Sequence, residues 1–95
     1  MSDKKNSANF EKIIIQKITN AISSIDGISN VIKVGIDKEK DMYIIGVKLR
    51  VYYGVNIPTI SYDVQSLGKN SLLPEELELV KSINISVEGI DEQVK

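Results

Sequence analysis

Residues 42–65, MYIIGVKLRVYYGVNIPTISYDVQ, decide the fold. The segment opens in strict alternation. Ile45, Val47, Leu49, Val51 and Tyr53 share one face, and Ile44, Gly46, Lys48, Arg50 and Tyr52 share the other. A period of two with one apolar face is the pattern of a half-buried strand. Gly54 then permits a turn that a residue with a β-carbon resists. Pro58 lacks an N–H and suits the first turn of a helix. The residue before a proline avoids the α region, so Ile57 is expected to be extended and Pro58 to open the helix. Asn56 holds the entry by local hydrogen bonding. From Pro58 onward, Ile60, Val64, Leu67 and Leu72 recur at helical spacing. Gly68 weakens the far end by about 1 kcal/mol relative to alanine, and Pro74 stops the helix. Tyr53 points inward by alternation, with its hydroxyl at the rim of the core. Tyr62 falls off the apolar stripe and is the fairer candidate for contact.

Upstream, NVIKVGID alternates with Ile32, Val34 and Ile36 on one face and Val31, Lys33 and Gly35 on the other. The charged run DKEKD joins this strand to the next as a hairpin turn. Further upstream, Phe10, Ile14, Ile18, Ala21, Ile22 and Ile25 recur at steps of three and four, which predicts an amphipathic helix. Ser7 or Asn9 caps its start, and Gly27 suits a left-handed stop. Downstream, residues 73–80 read equally well as a helical turn or an acidic loop. SINISVE then alternates, with Ile83, Ile85 and Val87 inward and Ser82, Asn84, Ser86 and Glu88 outward.

The element order is helix, strand, strand, helix, strand. A helical crossover makes the second and third strands parallel, and the hairpin makes the first antiparallel to them. The predicted fold class is therefore α+β: a three-stranded mixed sheet with two helices packed on one face and the other face open. Lys33, Lys48, Arg50 and Tyr52 project from that open face, near Val31, Ile44, Asn84 and Ser86. They form the candidate protein-contact face, since exposed aliphatic and tyrosine side chains beside an arginine are interface-like in composition.

The chain has 95 residues, enough for one domain. Residues 1–8 read as a polar N-terminal tail, 9–90 as the domain and 91–95 as a polar C-terminal tail. Twelve lysines and arginines stand against 13 acids, so the basic excess of a typical nucleic-acid binder is absent. There is no cysteine and no histidine, which excludes disulfides, Cys/His zinc sites and any catalytic triad built on a histidine base. No apolar run approaches the roughly 18 residues of a membrane span. The acids cluster as Asp37, Glu39 and Asp41 and as Glu75, Glu76 and Glu78, both in predicted turns where water screens them. The first set lacks the glycine and distal glutamate of a calcium loop. No glycine-rich phosphate loop is present, and GKNS at Gly68 is too short to cradle a phosphate. Nothing in the sequence specifies a catalytic, metal or cofactor-binding residue, so the chain reads as a non-enzyme without a cofactor.

Four pieces in order resemble the alkaline-shock protein family, the envelope stress response proteins of Gram-positive bacteria and their relatives. They are Ile25, Asp26, Gly27 and Ile28, then Val31; Tyr53, Gly54, Ile57 and Pro58, with Asn56 between; Val64 and Gln65; and Ile83, Asn84, Ile85, Val87, Gly89 and Ile90. The resemblance implies a cytoplasmic, non-enzymatic scaffold of cell-envelope homeostasis. It implies self-association and membrane proximity through a separate anchor protein. It also implies structural roles for Gly27, Tyr53, Gly54, Asn56, Pro58, Gln65, Asn84 and Gly89. The alternative is a small nucleic-acid-binding module that resembles a K-homology domain but lacks its G-x-x-G loop.

Overall fold

The computed structural model describes residues 2–92, with side chains from residue 9 onward. The order is α1 (Ser2–Ile22), β1 (Ile28–Glu39), β2 (Met42–Tyr52), α2 (Ile57–Asn70), α3 (Pro74–Leu77) and β3 (Val80–Asp91). The sheet runs β1-β2-β3, with β1 antiparallel to β2 and β2 parallel to β3. This is the mixed α+β sheet predicted from the alternation and the crossover.

Both long helices cover one face. Ile14, Ile18 and Ile22 of α1 are fully buried, as are Ile45, Leu49 and Val51 of β2 and Val64 of α2. Burying an aliphatic side chain of this size contributes roughly 1.5–3 kcal/mol. Isoleucine is weaker than alanine in a helix by only a few tenths of a kcal/mol, so packing outweighs propensity in α1. Phe10 meets Tyr43 with ring centroids 5.4 Å apart, fixing α1 against the start of β2.

The helix begins at Ser2, so neither Ser7 nor Asn9 stands at its N-terminus and residues 2–8 continue it. No proline or glycine interrupts that polar run, and propagation of an established helix costs little. At the other end, hydroxyls take up carbonyls that the helix leaves free: Ser23 Oγ donates to Thr19 O and Ser24 Oγ to Ala21 O. Gly27 has φ +99°, but it lies in the turn into β1 and not at the helix stop.

Strict alternation in β1 is broken. The register shifts between Ile28 and Asn30 and between Val31 and Lys33. Each bulge adds a residue and resets which side chains point inward. Val31 therefore faces the core opposite buried Leu49, and Ile32, expected inward, is 47% exposed. The hairpin turn is shorter than DKEKD: Asp37 and Glu39 lie in β1, and residues 40–41 make the turn with Lys40 at φ 55°.

Tyr53 is 78% exposed, against the inward placement read from alternation. β2 ends at Tyr52, and once the chain turns the period of two no longer applies. In α2, Asn56 is the N-cap and its Oδ1 accepts the Thr59 N–H at 3.0 Å. Ile57 is the first helical residue and Pro58 the second, one step later than expected, which is still within the turn where a missing N–H is harmless. The buried stripe is Ile60, Val64 and Gly68, with Leu67 40% exposed. A β-carbon on Gly68 would lie 3.3 Å from Ile83 Cδ1, so this glycine lets α2 approach β3 closely. Residues 74–77 form one helical turn, α3, and the strand expected to end near Ile90 includes Asp91. The rest of the predicted C-terminal tail, residues 93–95, lies outside the described residues.

Candidate protein-contact face

The second face of the sheet carries the residues that the helices leave out. Register aligns them in rows across the strands: Asn30–Arg50–Gly89, Lys33–Lys48–Ser86, Gly35–Gly46–Asn84 and Asp37–Ile44–Ser82. Lys33, Lys48, Gly46, Asn84 and Ser86 are exposed, while Ile44, Arg50 and Tyr52 are half-buried. Val31, grouped with this face on sequence, belongs to the core side. A depression of about 620 Å³ is lined by Glu11 and Ile15 of α1 together with strand residues of both faces, among them Val34, Gly35, Gly46 and Val47, so it is not a feature of the bare face alone.

Arg50 is not a free cation. Its Nε donates to Asp91 Oδ2 at 2.9 Å and its Nη2 to Oδ1 at 2.7 Å, while Ser29 Oγ donates to Oδ2 at 2.6 Å. This bidentate clasp joins β2 to β3 and, through Ser29, to β1. The hydrogen bonds from Arg50 and then Ser29 hold the Asp91 carboxyl down at about 2. In turn Asp91 raises the guanidinium further above its ordinary value. Lys33 and Lys48 sit directly opposite each other, and neither has a salt-bridge partner among the described residues.

The residues singled out at the Tyr53–Pro58 junction serve the fold. Gly54 takes φ +93°, and the Tyr53 N–H donates to Asp91 O at 2.7 Å. Gln65 Nε2 donates to Ile83 O at 3.1 Å, tying α2 to β3. Gly89 lies beneath Arg50, where a β-carbon would fall 2.3 Å from Nη1. Sequence reasoning placed Gly35 on this face beside Lys33 but missed Asp37 and Asp91 as members of it. Continuing the parity of Lys33 and Gly35 along β1 was the signal for Asp37. Asp91 had no local signal, because its cation is 41 residues away.

The acidic runs do not converge into a site. Glu39 pairs with Lys81 at 2.6 Å, and Glu75 and Glu78 are exposed. Glu76 corrects the sequence reading: it is 7% exposed and not solvated. Its carboxylate accepts from Lys17 Nζ at 2.7 and 3.0 Å and from the Leu73 N–H at 2.8 Å. Burial pushes this carboxyl up, but the Lys17 and Leu73 hydrogen bonds outweigh it and hold the group below its ordinary value. Among the described residues no group of three acids could hold a metal ion, and no helix is long and apolar enough to cross a membrane. Gly68, Lys69 and Asn70 of the GKNS run form the last turn of α2.

No protein-family model matches the sequence, and no curated protein matches it. The fold is shared with solved structures of MamM. A MamM variant superposes with TM-score 0.65 at 15% identity, covering 82% of this chain and 94% of that one. A MamM CTD variant in a zinc form gives TM-score 0.63 at 15% identity, covering 82% and 84%. A copper form gives TM-score 0.63 at 15% identity, covering 82% and 95%. At this identity the likeness is one of fold: a helix-backed three-stranded sheet that this chain builds from its own core.

Proposed function

We propose that this chain is a non-enzymatic protein-interaction module that self-associates, and that it acts as an alkaline-shock-type scaffold near the cell envelope through a membrane-anchored partner. One observation carries the reading: α1 and α2 pack on one face of the sheet, with Val31, Ile36, Ile85 and Val87 only partly buried at its margins, and the other face carries the exposed Lys33, Gly46, Lys48, Asn84 and Ser86. Such a bare face, with small residues beside Ile44 and Tyr52, suits contact with another surface in composition. The family-type residues support the scaffold assignment in a structural way. Gly27 and Gly54 supply left-handed turns, Asn56 caps α2, Gln65 ties α2 to β3, and Gly89 seats Arg50.

The zinc and copper of the MamM structures are those proteins' own ligands. This chain has neither histidine nor cysteine, the residues that most often hold those metals. A metal-responsive role therefore finds no support in its side chains.

Sedimentation velocity over a range of concentrations tests self-association, and a pull-down from native cytosolic and membrane fractions tests the anchored partner. A concentration-dependent species larger than the monomer and capture of an integral membrane protein are the expected results. A monomer at every concentration, together with retention on RNA or DNA at about 50 mM salt that fades as salt rises, would favour a nucleic-acid module instead.

A further inference from the structure

Four of the six glycines are explained by the chain's own fold. Gly27 and Gly54 have positive φ, Gly68 packs against Ile83, and Gly89 lies under Arg50. Gly35 and Gly46 are different. Neither has positive φ. A β-carbon on Gly46 would meet nothing within 4 Å, and one on Gly35 would meet only the Lys33 stem at 3.7 Å. Yet the two are paired directly across β1 and β2 in the middle of the open face. Glycine inside a strand weakens it, and often marks a place where another backbone comes close.

The charges beside this row are arranged in opposition. On one side the row is Lys33–Lys48–Ser86, and on the other Asp37–Ile44–Ser82. Lysines directly opposite each other repel, and Asp37 has no cation of its own among the described residues. Turning a second sheet over onto the first, about a two-fold axis along the Gly35–Gly46–Asn84 row, exchanges the two flanking rows. Lys33 of each protomer then faces Asp37 of its partner, Lys48 lays its stem over Ile44, and Ser86 meets Ser82. The glycines fall on the axis, where the sheets approach most closely.

We infer that a second copy of this chain covers the open face in this arrangement, an isologous sheet-on-sheet dimer. The inference rests on the self-association proposed above and specifies its geometry. It accounts for both features that the monomer leaves unexplained, the glycine pair and the facing lysines.

Wild type, Gly46→Val, Lys33→Asp, Asp37→Lys and the double variant are compared by sedimentation velocity, with thermal melting as the control for folding. Gly46→Val adds its side chain in open space, so its melting temperature, compared at concentrations where both proteins are monomeric, is unchanged or raised while dimerisation is lost. Each charge reversal weakens the dimer by roughly tenfold, because it loses two ion pairs at once, and the double variant restores it. A wild type that associates while Gly46→Val and both reversals associate equally well overturns this arrangement and leaves self-association standing. A wild type that stays monomeric overturns both.

Discussion

The Arg50 guanidinium rests against Gly89 so closely that a β-carbon at position 89 would lie 2.3 Å from Nη1 and 2.6 Å from Cζ. The glycine is thus the seat of the Arg50–Asp91 clasp. Gly89→Ala displaces the flexible end of Arg50 and releases Asp91 toward its ordinary value of 3.8. The folded carboxyl lies at about 2, below that value, so the clasp contributes its full stability above about pH 4 and loses it as pH falls through 2. Wild type therefore loses stability on acidification over this window, and Gly89→Ala and Asp91→Asn lose that part of the slope. Melting curves from pH 2 to pH 7 and carbon-detected titration of Asp91 report it. An Asp91 that titrates near 2 in Gly89→Ala would count against the seat.

Lys17 and Glu76 join α1 to α3 at a site where the carboxylate is almost wholly removed from water. Lys17→Met leaves that carboxylate with the Leu73 N–H as its remaining partner, and costs about 1–3 kcal/mol at pH 7. The pH dependence also changes sign. In wild type the depressed Glu76 group contributes stability above its ordinary 4.5, which is lost on acidification. Without Lys17, burial raises the group, so the variant gains relative stability as the carboxyl protonates. Urea denaturation of both proteins at pH 4 and pH 7 distinguishes the two behaviours.

Gly27 and Gly54 share a positive φ but not their surroundings. A β-carbon on Gly54 has no neighbour within 4 Å, whereas one on Gly27 meets Ile60 Cδ1 at 2.9 Å and Val55 Cγ1 at 3.0 Å. Gly54→Val therefore costs only its backbone strain, about 1–3 kcal/mol. Gly27→Ala adds a steric clash to that strain, so it costs more than Gly54→Ala. Chemical denaturation gives the order directly, and equal losses for the two alanine variants would show that the contacts around Gly27 yield freely.

Lys40 occupies the left-handed region at φ 55° in the two-residue hairpin turn. Asparagine tolerates that conformation better than lysine. Lys40→Asn stabilises the fold by up to about 1 kcal/mol, the scale of the left-handed penalty for an ordinary residue. An unchanged or lower midpoint in urea would contradict this.

The alternation of residues 44–53 gave the central strand and its buried Ile45, Val47, Leu49 and Val51 without help, because one face of β2 is covered over that stretch. Ile32 and Val31 were misplaced because a bulge leaves no mark in a local pattern; it is set by pairing with Leu49 and Lys48 on another strand. Tyr53 was misplaced because alternation says nothing about where a strand stops. Leu67 and Gly68 were exchanged because steps of three and four are equally helical, and only the nearness of Ile83 selects the glycine. Of the second sheet face, Lys33, Lys48 and Tyr52 were placed by parity. The capture of Arg50 was not legible, nor was the burial of Glu76, whose lysine is 59 residues distant. Long-range ion pairs join residues that composition treats as independent.

β2 sits between an antiparallel neighbour reached through a two-residue turn and a parallel neighbour reached only after α2 and α3. The hairpin is a local event, while joining β3 must close the loop spanning residues 53–79. Of the two pairings, β2 with β3 therefore carries the larger loop-closure cost. Wherever β3 is displaced, the Ile45–Val51 edge of β2 is a row of unpaired backbone groups, the kind of edge that pairs with another chain.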